Sequence, residues 1–254
     1  MGLPRGSTIP LSPLRRVMCD FLHVSRRVPL VAIERRFFLA DVVAARRRLE
    51  HRPSWFALFL KAYALVARRR AELRRAYLSF PWPRIHQHTC NVAYLTIARR
   101  HADEDVVLGL QIRHPEERSA AAIDDLIRRA RTEPVEQFAD FRRVLLLSRL
   151  PGFLRRLAFW AGLSISGDLR AKTLGTFGVT GVGALGAASL HMLSPQSTTL
   201  TYGVFAEDGS VPVRLFYDHR ILDGVAPAAA LADLEETLCG PILEELRGGT
   251  RRAA

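Results

Sequence analysis

The segment Asp218-His219-Arg220-Ile221-Leu222-Asp223-Gly224 concentrates groups that can move a proton. Histidine titrates near neutral pH, so His219 can take a proton from a hydroxyl or a thiol under physiological conditions. Asp223, four residues on, is placed to make an ion pair that fixes the turn, and Gly224 allows a tight backbone path. The segment lies where a β-rich run, residues 211–217, gives way to a helical pattern. A side chain at such a junction can project into a cleft while the strand and helix hold its backbone. A capping or structurally satisfied histidine is the other reading that the spacing allows.

Three other constellations read more plainly. Gly181-Val182-Gly183-Ala184-Leu185-Gly186 matches the GxGxxG dinucleotide pattern, but Pro195 stops any following helix early and Glu207-Asp208 fall in a turn. His86-Gln87-His88 offers two metal-ligand types without a carboxylate or cysteine at supporting spacing, so an ordinary strand or loop pair, and no metal, is expected. Arg68-Arg69-Arg70 with Arg74 and Arg75 reads as a solvated helix face, with no nucleic-acid partner expected.

The elements that must position these groups follow from periodicity and breakers. Helices are expected over 12–24, 39–50, 54–77 (opened by Pro53), 120–131 (capped by Ser119), 134–163 with a break at Pro151-Gly152, and 224–246. Residues 153–163 are amphipathic and basic and could rest on a membrane surface, although an ordinary packed helix is favoured. Strands are expected over 28–37, 89–98, 105–112, 175–180, 198–205 and 211–217. Residues 99–104 read as a turn, and Glu207-Asp208-Gly209-Ser210 as a hairpin loop. The tail from Gly248 is expected to fray. Mixed helices and strands with few strict βαβ units suggest an α+β sandwich, a mixed sheet flanked by helices.

Composition bounds the rest. The chain has 254 residues and a net charge of +12, and its basic excess is nearly all arginine, since Lys61 and Lys172 are its lysines. That field attracts anions, including a nucleotide-bearing cosubstrate. Cys19, Cys90 and Cys239 are far apart, and with no CxxC pattern reduced cytosolic thiols are the default. The N-terminus lacks a signal-peptide core, and the longest apolar run, 55–67, is broken by Lys61. A cytoplasmic protein without a membrane span is expected.

The residues from Tyr217 to Gly224 resemble the His-x-x-x-Asp-Gly motif of the chloramphenicol acetyltransferase-like superfamily. More specifically, they are similar to the Asp-His-Arg-[Val/Ile]-[Ile/Leu/Val]-Asp-Gly form in dihydrolipoamide acyltransferases, the core subunits of 2-oxo acid dehydrogenase complexes. Asp218 stands where amino-acid condensation domains carry a second histidine. Thr176-Phe177-Gly178-Val179-Thr180-Gly181-Val182-Gly183 resembles the family's Phe-Thr-[Ile/Val]-Ser-Asn-Leu-Gly strand and turn, and Leu193-Ser194-Pro195-Gln196-Ser197 its Pro-Pro-Gln stretch. Leu14-Arg15-Arg16-Val17-Met18 resembles its opening Arg-Lys-x-Ile-Ala helix, whereas Pro29-Leu30 departs from its Pro-His.

The resemblance spans residues 11–246 and implies one catalytic domain of chloramphenicol acetyltransferase-like, two-layer architecture. It implies His219 as general base and Thr180 as the hydroxyl donor to the oxyanion. Arg15, with Arg16 as fallback, would be the ion-pair partner of Asp223. Coenzyme A or acyl-CoA would be a substrate. Direct transfer would occur in a site between subunits of a homotrimer. No lipoyl domain, subunit-binding domain or Pro/Ala-rich linker is recognisable, so a lipoyl group would come from another protein, with 2-oxo acid dehydrogenase components as candidate partners. A catalytically idle trimeric scaffold and a CoA-dependent O-acetyltransferase of a small molecule are the alternatives.

Overall fold

The computed structural model describes residues 6–101, 104–181, 186–187 and 189–252. Its centre is a six-stranded mixed sheet of order β1-β8-β7-β6-β4-β5. The strands are β1 (Leu30–Phe38), β4 (Val92–His101), β5 (Glu104–Arg113), β6 (Phe177–Thr180), β7 (Thr198–Tyr202) and β8 (Ser210–Asp218). β6 runs parallel to both β4 and β7, and the other pairs are antiparallel. A separate two-stranded ribbon joins β2 (Arg75–Leu78) to β3 (Arg84–Gln87).

Side chains alternate across a strand, so each strand serves two layers. Leu95 and Ile97 of β4, Leu108 and Leu110 of β5, Val179 of β6 and Leu200 of β7 are buried in one core. On that face lies α3 (Trp55–Arg69), whose Leu58, Phe59, Ala62, Tyr63 and Val66 are buried, with α4 (Ala120–Thr132) and α8 (Val225–Thr237) beside it. Ser54 caps α3 through the Ala57 N–H at 3.2 Å, and Ser119 caps α4 through the Ala122 N–H at 3.1 Å. The opposite face, at the β4–β5 end, is covered by α1 (Pro13–Ser25), α5 (Ala139–Arg149) and α6 (Gly152–Ser164).

These helices are held by charge as well as by apolar contact. Asp20 of α1 is buried and accepts from Arg155 Nε at 2.7 Å and Arg156 Nε at 2.8 Å, both on α6. Burial alone would raise the Asp20 carboxyl, but the two guanidinium groups hold it below the usual carboxylate range.

The expected α+β sheet-and-helix architecture is present. Several boundaries differ: the turn expected over 99–104 is shorter, since β4 pairs with β5 out to His101 and Glu104, and β7 ends at Tyr202. The helix expected over 54–77 ends at Arg69, and residues 71–78 form a 3₁₀ turn and then β2. Burial then alternates along β2, with Ala76 and Leu78 buried and Arg75 and Tyr77 half-buried, as a strand requires. The helix expected over 224–246 is α8, a π-helical turn at residues 238–242 around Pro241, and α9 (Leu243–Arg252). Pro241 lacks an N–H and cannot continue an α-helical ladder. Helix thus continues as far as Arg252 in the tail expected to fray, and a short helix not expected from the sequence, α7 (Gly167–Leu174), precedes β6. No helix among the described residues is long and apolar enough to cross a membrane.

Candidate active site

His219 leaves the C-terminal end of β8 on a turn that buried polar groups hold in place. The side chain of Asp218 is fully buried. It accepts from the Arg220 backbone N–H at 3.0 Å, from Arg220 Nε at 2.9 Å and from Arg220 Nη2 at 2.6 Å. The guanidinium of Arg220 also lies 4.1 Å above the Tyr77 ring. The Asp218 carbonyl accepts from Ile221 and Leu222, and the His219 N–H donates to Pro29 at 3.1 Å. The backbone is therefore fixed while the His219 side chain is 51% exposed.

Asp223 Oδ1 lies 3.7 Å from His219 Nδ1, beyond ordinary hydrogen-bond length, and Asp223 is almost wholly exposed. The expected Arg15–Asp223 pair does not form within the chain. Arg15 Nε lies 3.5 Å from Glu104 Oε1 instead. Arg15 sits on α1 over the β4–β5 end of the sheet, and three strands separate β5 from β8. No Arg16–Asp223 pair is present among the described residues.

The buried arginine beneath this turn is Arg170 of α7, which sequence reasoning missed. Its Nη1 donates to the Tyr77 carbonyl at 2.9 Å and its Nη2 to the Pro195 carbonyl at 2.7 Å. Burial depresses the guanidinium to about 10, and the Asp218 carboxylate opposes that shift. Arg170 ties the ribbon, the segment before β7 and the Asp218 turn together. No periodicity marks it, because it lies on a short helix with several other polar residues.

Thr180 ends β6 at a second place. Its Oγ1 lies 3.3 Å from Thr96 Oγ1. Together with Tyr94, Phe21, Thr199 and Thr201 these residues line a cavity of about 230 Å³. Thr201, also in this wall, has a buried Oγ1 without a hydrogen-bond partner among the described residues. Gln196 is buried in the same wall and its Nε2 donates to the Leu174 carbonyl at 3.0 Å. Gly178 brings the β6 backbone close to Thr199, whose Oγ1 would lie 2.9 Å from any Cβ placed there.

The structure does not bring His219 and Thr180 together in one chain. Thr180 pairs with Thr201 of β7, and Thr201 with Arg214 of β8. Tyr217, two residues before His219, pairs with Thr198. Three residues along a strand and two strand spacings across put even Tyr217 about 14 Å from Thr180 between backbones.

The remaining constellations play lesser parts. Residues 182–185 of the GxGxxG segment lie outside the described residues, and the described residues from Gly186 to Gln196 form no helix. The rings of His86 and His88 meet edge to face at 4.8 Å. The group of three potential metal ligands among the described residues is His114, Glu116 and Glu117, elsewhere on the molecule. Arg69 and Arg70 of the basic cluster are engaged, donating to Thr237 and Asp233.

No family model matches the chain, and no curated protein matches it by sequence. Solved structures do match. A probable dihydrolipoamide acetyltransferase from Listeria monocytogenes superposes with a TM-score of 0.63 at 20% identity, over 92% of this chain and 94% of that one. The dihydrolipoamide acetyltransferase of Azotobacter vinelandii gives 0.66 at 17% identity, over 93% of each chain. A truncated catalytic core of a 2-oxoacid dehydrogenase multienzyme complex from Thermoplasma acidophilum gives 0.64 at 14%, over 93% of this chain and 99% of that one. The chain thus shares, over nearly its whole length, the fold of dihydrolipoamide acetyltransferase catalytic cores, the architecture that its His219 segment resembles.

Proposed function

We propose that the protein is an acyltransferase that moves an acyl group between coenzyme A and a thiol acceptor such as dihydrolipoamide. The observation that carries this reading is the pairing of a rigidly mounted, half-exposed His219 with a separate cavity walled by threonine hydroxyls around Thr180. The Azotobacter structure was determined to define the roles of a serine, a histidine and an asparagine in the catalytic mechanism, and that histidine and asparagine are four positions apart. His219 and Asp223 have the same separation, and Thr180 supplies a hydroxyl in place of serine.

In this reading His219 removes the proton from the acceptor thiol, and the thiolate attacks the thioester carbonyl. Thr180 donates its hydroxyl to the oxyanion, and Thr96, 3.3 Å away, orients it. Collapse expels the coenzyme A thiolate, which takes the proton back from His219. The backbone separation of about 14 Å between Thr180 and Tyr217 supports a site shared between copies, as a cyclic homotrimer would provide. The net charge of +12 suits the phosphates of coenzyme A. A lipoyl group would arrive on another protein, and components of a 2-oxo acid dehydrogenase complex are the corresponding partners.

The test is acyl transfer from acetyl-CoA to dihydrolipoamide by the wild type and by His219→Ala. Transfer well above background that the substitution removes supports the proposal. Equal background rates in both would overturn it. Elution at the monomer mass of 28.5 kDa would count against a shared site.

A further inference from the structure

The Thr180 cavity adjoins a second space. Three of its walls, Phe21, Tyr94 and Thr96, also wall a larger chamber of about 310 Å³ between the β4–β5 face and helices α1, α5 and α6. The chamber lining is mostly apolar and includes Val17, Met18, Val107, Val144, Leu147 and Phe159. Five charged side chains touch its rim, and four of them are paired with each other. Arg15 meets Glu104 at 3.5 Å, and Arg143 meets Asp140 at 3.2 Å. Asp140 Oδ2 also accepts from the Gln111 N–H at 2.9 Å.

We propose that this chamber receives the hydrocarbon tail of the transferred acyl group, so that the substrate is a medium-chain fatty acyl thioester rather than an acetyl thioester. The proposal rests on the acyltransferase reading and specifies its acyl donor. In this arrangement a thioester carbonyl beside Thr180 extends its chain past Phe21 and Tyr94, which wall both spaces. The volume is at the lower end of small-molecule sites and far exceeds what an acetyl methyl occupies. Because both arginines of the rim are paired with carboxylates and the fifth charged side chain, Asp105, is acidic, the chamber holds little that would bind a phosphate or carboxylate. Hydrocarbon burial is what it can reward.

Tyr94 and Gly109 shape the boundary between the two spaces. A Cβ at position 109 would fall 2.0 Å from the Tyr94 phenol oxygen, so the glycine makes room for that ring to lie against β5. With the ring held there, Tyr94 forms a wall of both spaces.

The experiment uses the full chain with acetyl-, butyryl-, hexanoyl-, octanoyl-, decanoyl- and dodecanoyl-CoA. Binding is read by calorimetry and transfer to dihydrolipoamide by thioester formation. Each methylene should raise kcat/KM about fourfold until the chamber is full, and octanoyl should exceed acetyl by at least about a hundredfold. Ala158→Trp, at an exposed rim position, and Val144→Trp, deeper in, should each cut the octanoyl-to-acetyl ratio at least tenfold. A folding defect would lower both substrates together and leave the ratio unchanged. Wild-type transfer with a ratio within threefold of one overturns the chamber assignment and leaves the acyltransferase reading standing. So does a preference that both variants retain. Chain-length-dependent binding that Ala158→Trp abolishes, without turnover of any thioester, upholds the chamber and overturns the acyltransferase reading. Absence of both turnover and chain-length-dependent binding overturns both.

Discussion

The turn that carries His219 and the strand end that carries Thr180 are built on opposite plans. The first is held by charge: Asp218 is buried against Arg220, with Arg170 packed beneath, and the chemistry-bearing ring is left outside. The second is neutral, a ladder of threonines on the sheet face around a cavity, with one hydroxyl unsatisfied. A proton-transfer group profits from a fixed backbone and an accessible ring. An oxyanion donor profits from a shielded, low-dielectric wall. One sheet supplies both environments by using strand ends far enough apart that neither compromises the other, and under the proposed function a working site would draw on two copies.

The largest expected effect tests the first plan. His219→Ala should lower acyl transfer by about 10²- to 10⁴-fold, with thermal stability unchanged because the side chain is half exposed. Thr180→Val should cost about 10²- to 10³-fold in kcat, while Thr180→Ser should retain activity. Mixing the two inactive variants sharpens the comparison. Random reassembly restores an intact His219–Thr180 pair at about a quarter of the sites if the two residues come from different subunits. No recovery after denaturation and refolding of the mixture would place the two halves otherwise.

Asp218→Ala should destabilise the fold by about 3–5 kcal/mol in chemical denaturation, since Arg220 and Arg170 would lose their carboxylate. The smallest effect is a pH dependence. His88 is buried and held down to about 4 by that burial and by His86, Arg170 and Arg74, against the opposing Asp168. Between pH 6.5 and 4 the unfolded chain binds a proton that the folded chain refuses, so stability falls as pH falls through that window. The loss is about 2–3 kcal/mol. His88→Gln should flatten the curve there, and an unchanged slope would mean that another group carries it.

Much of this arrangement was legible in the sequence because its signals are local. Breakers marked the α5–α6 boundary at Pro151-Gly152, hydroxyl caps marked Ser119, and Gly209 marked the β7–β8 turn, where it adopts a φ of 81°. The β2–β3 ribbon was hidden because each strand is four residues long and follows a strongly helical run. Arg170 was hidden because a buried cation is identified by partners distant in sequence, here Tyr77, Leu163, Pro195 and Asp218. The expected Arg15–Asp223 pair is absent within the chain for a similar reason. It depended on which end of the sheet α1 covers, and that is fixed by Asp20 meeting Arg155 and Arg156 across the α1–α6 contact.

Gly109 has a consequence that reaches past its own strand. Tyr94 stands opposite Gln111 in the ladder, and Gly109 opposite Thr96, so the phenol leans diagonally by one pair into the vacancy. The ring and the missing side chain act as a single adjustable partition. Any residue larger than glycine at 109 must displace that ring. Under the proposed function, one codon on β5 would then set the room behind Thr180, and divergence at that position would be a short mutational route from one acyl-chain length to another.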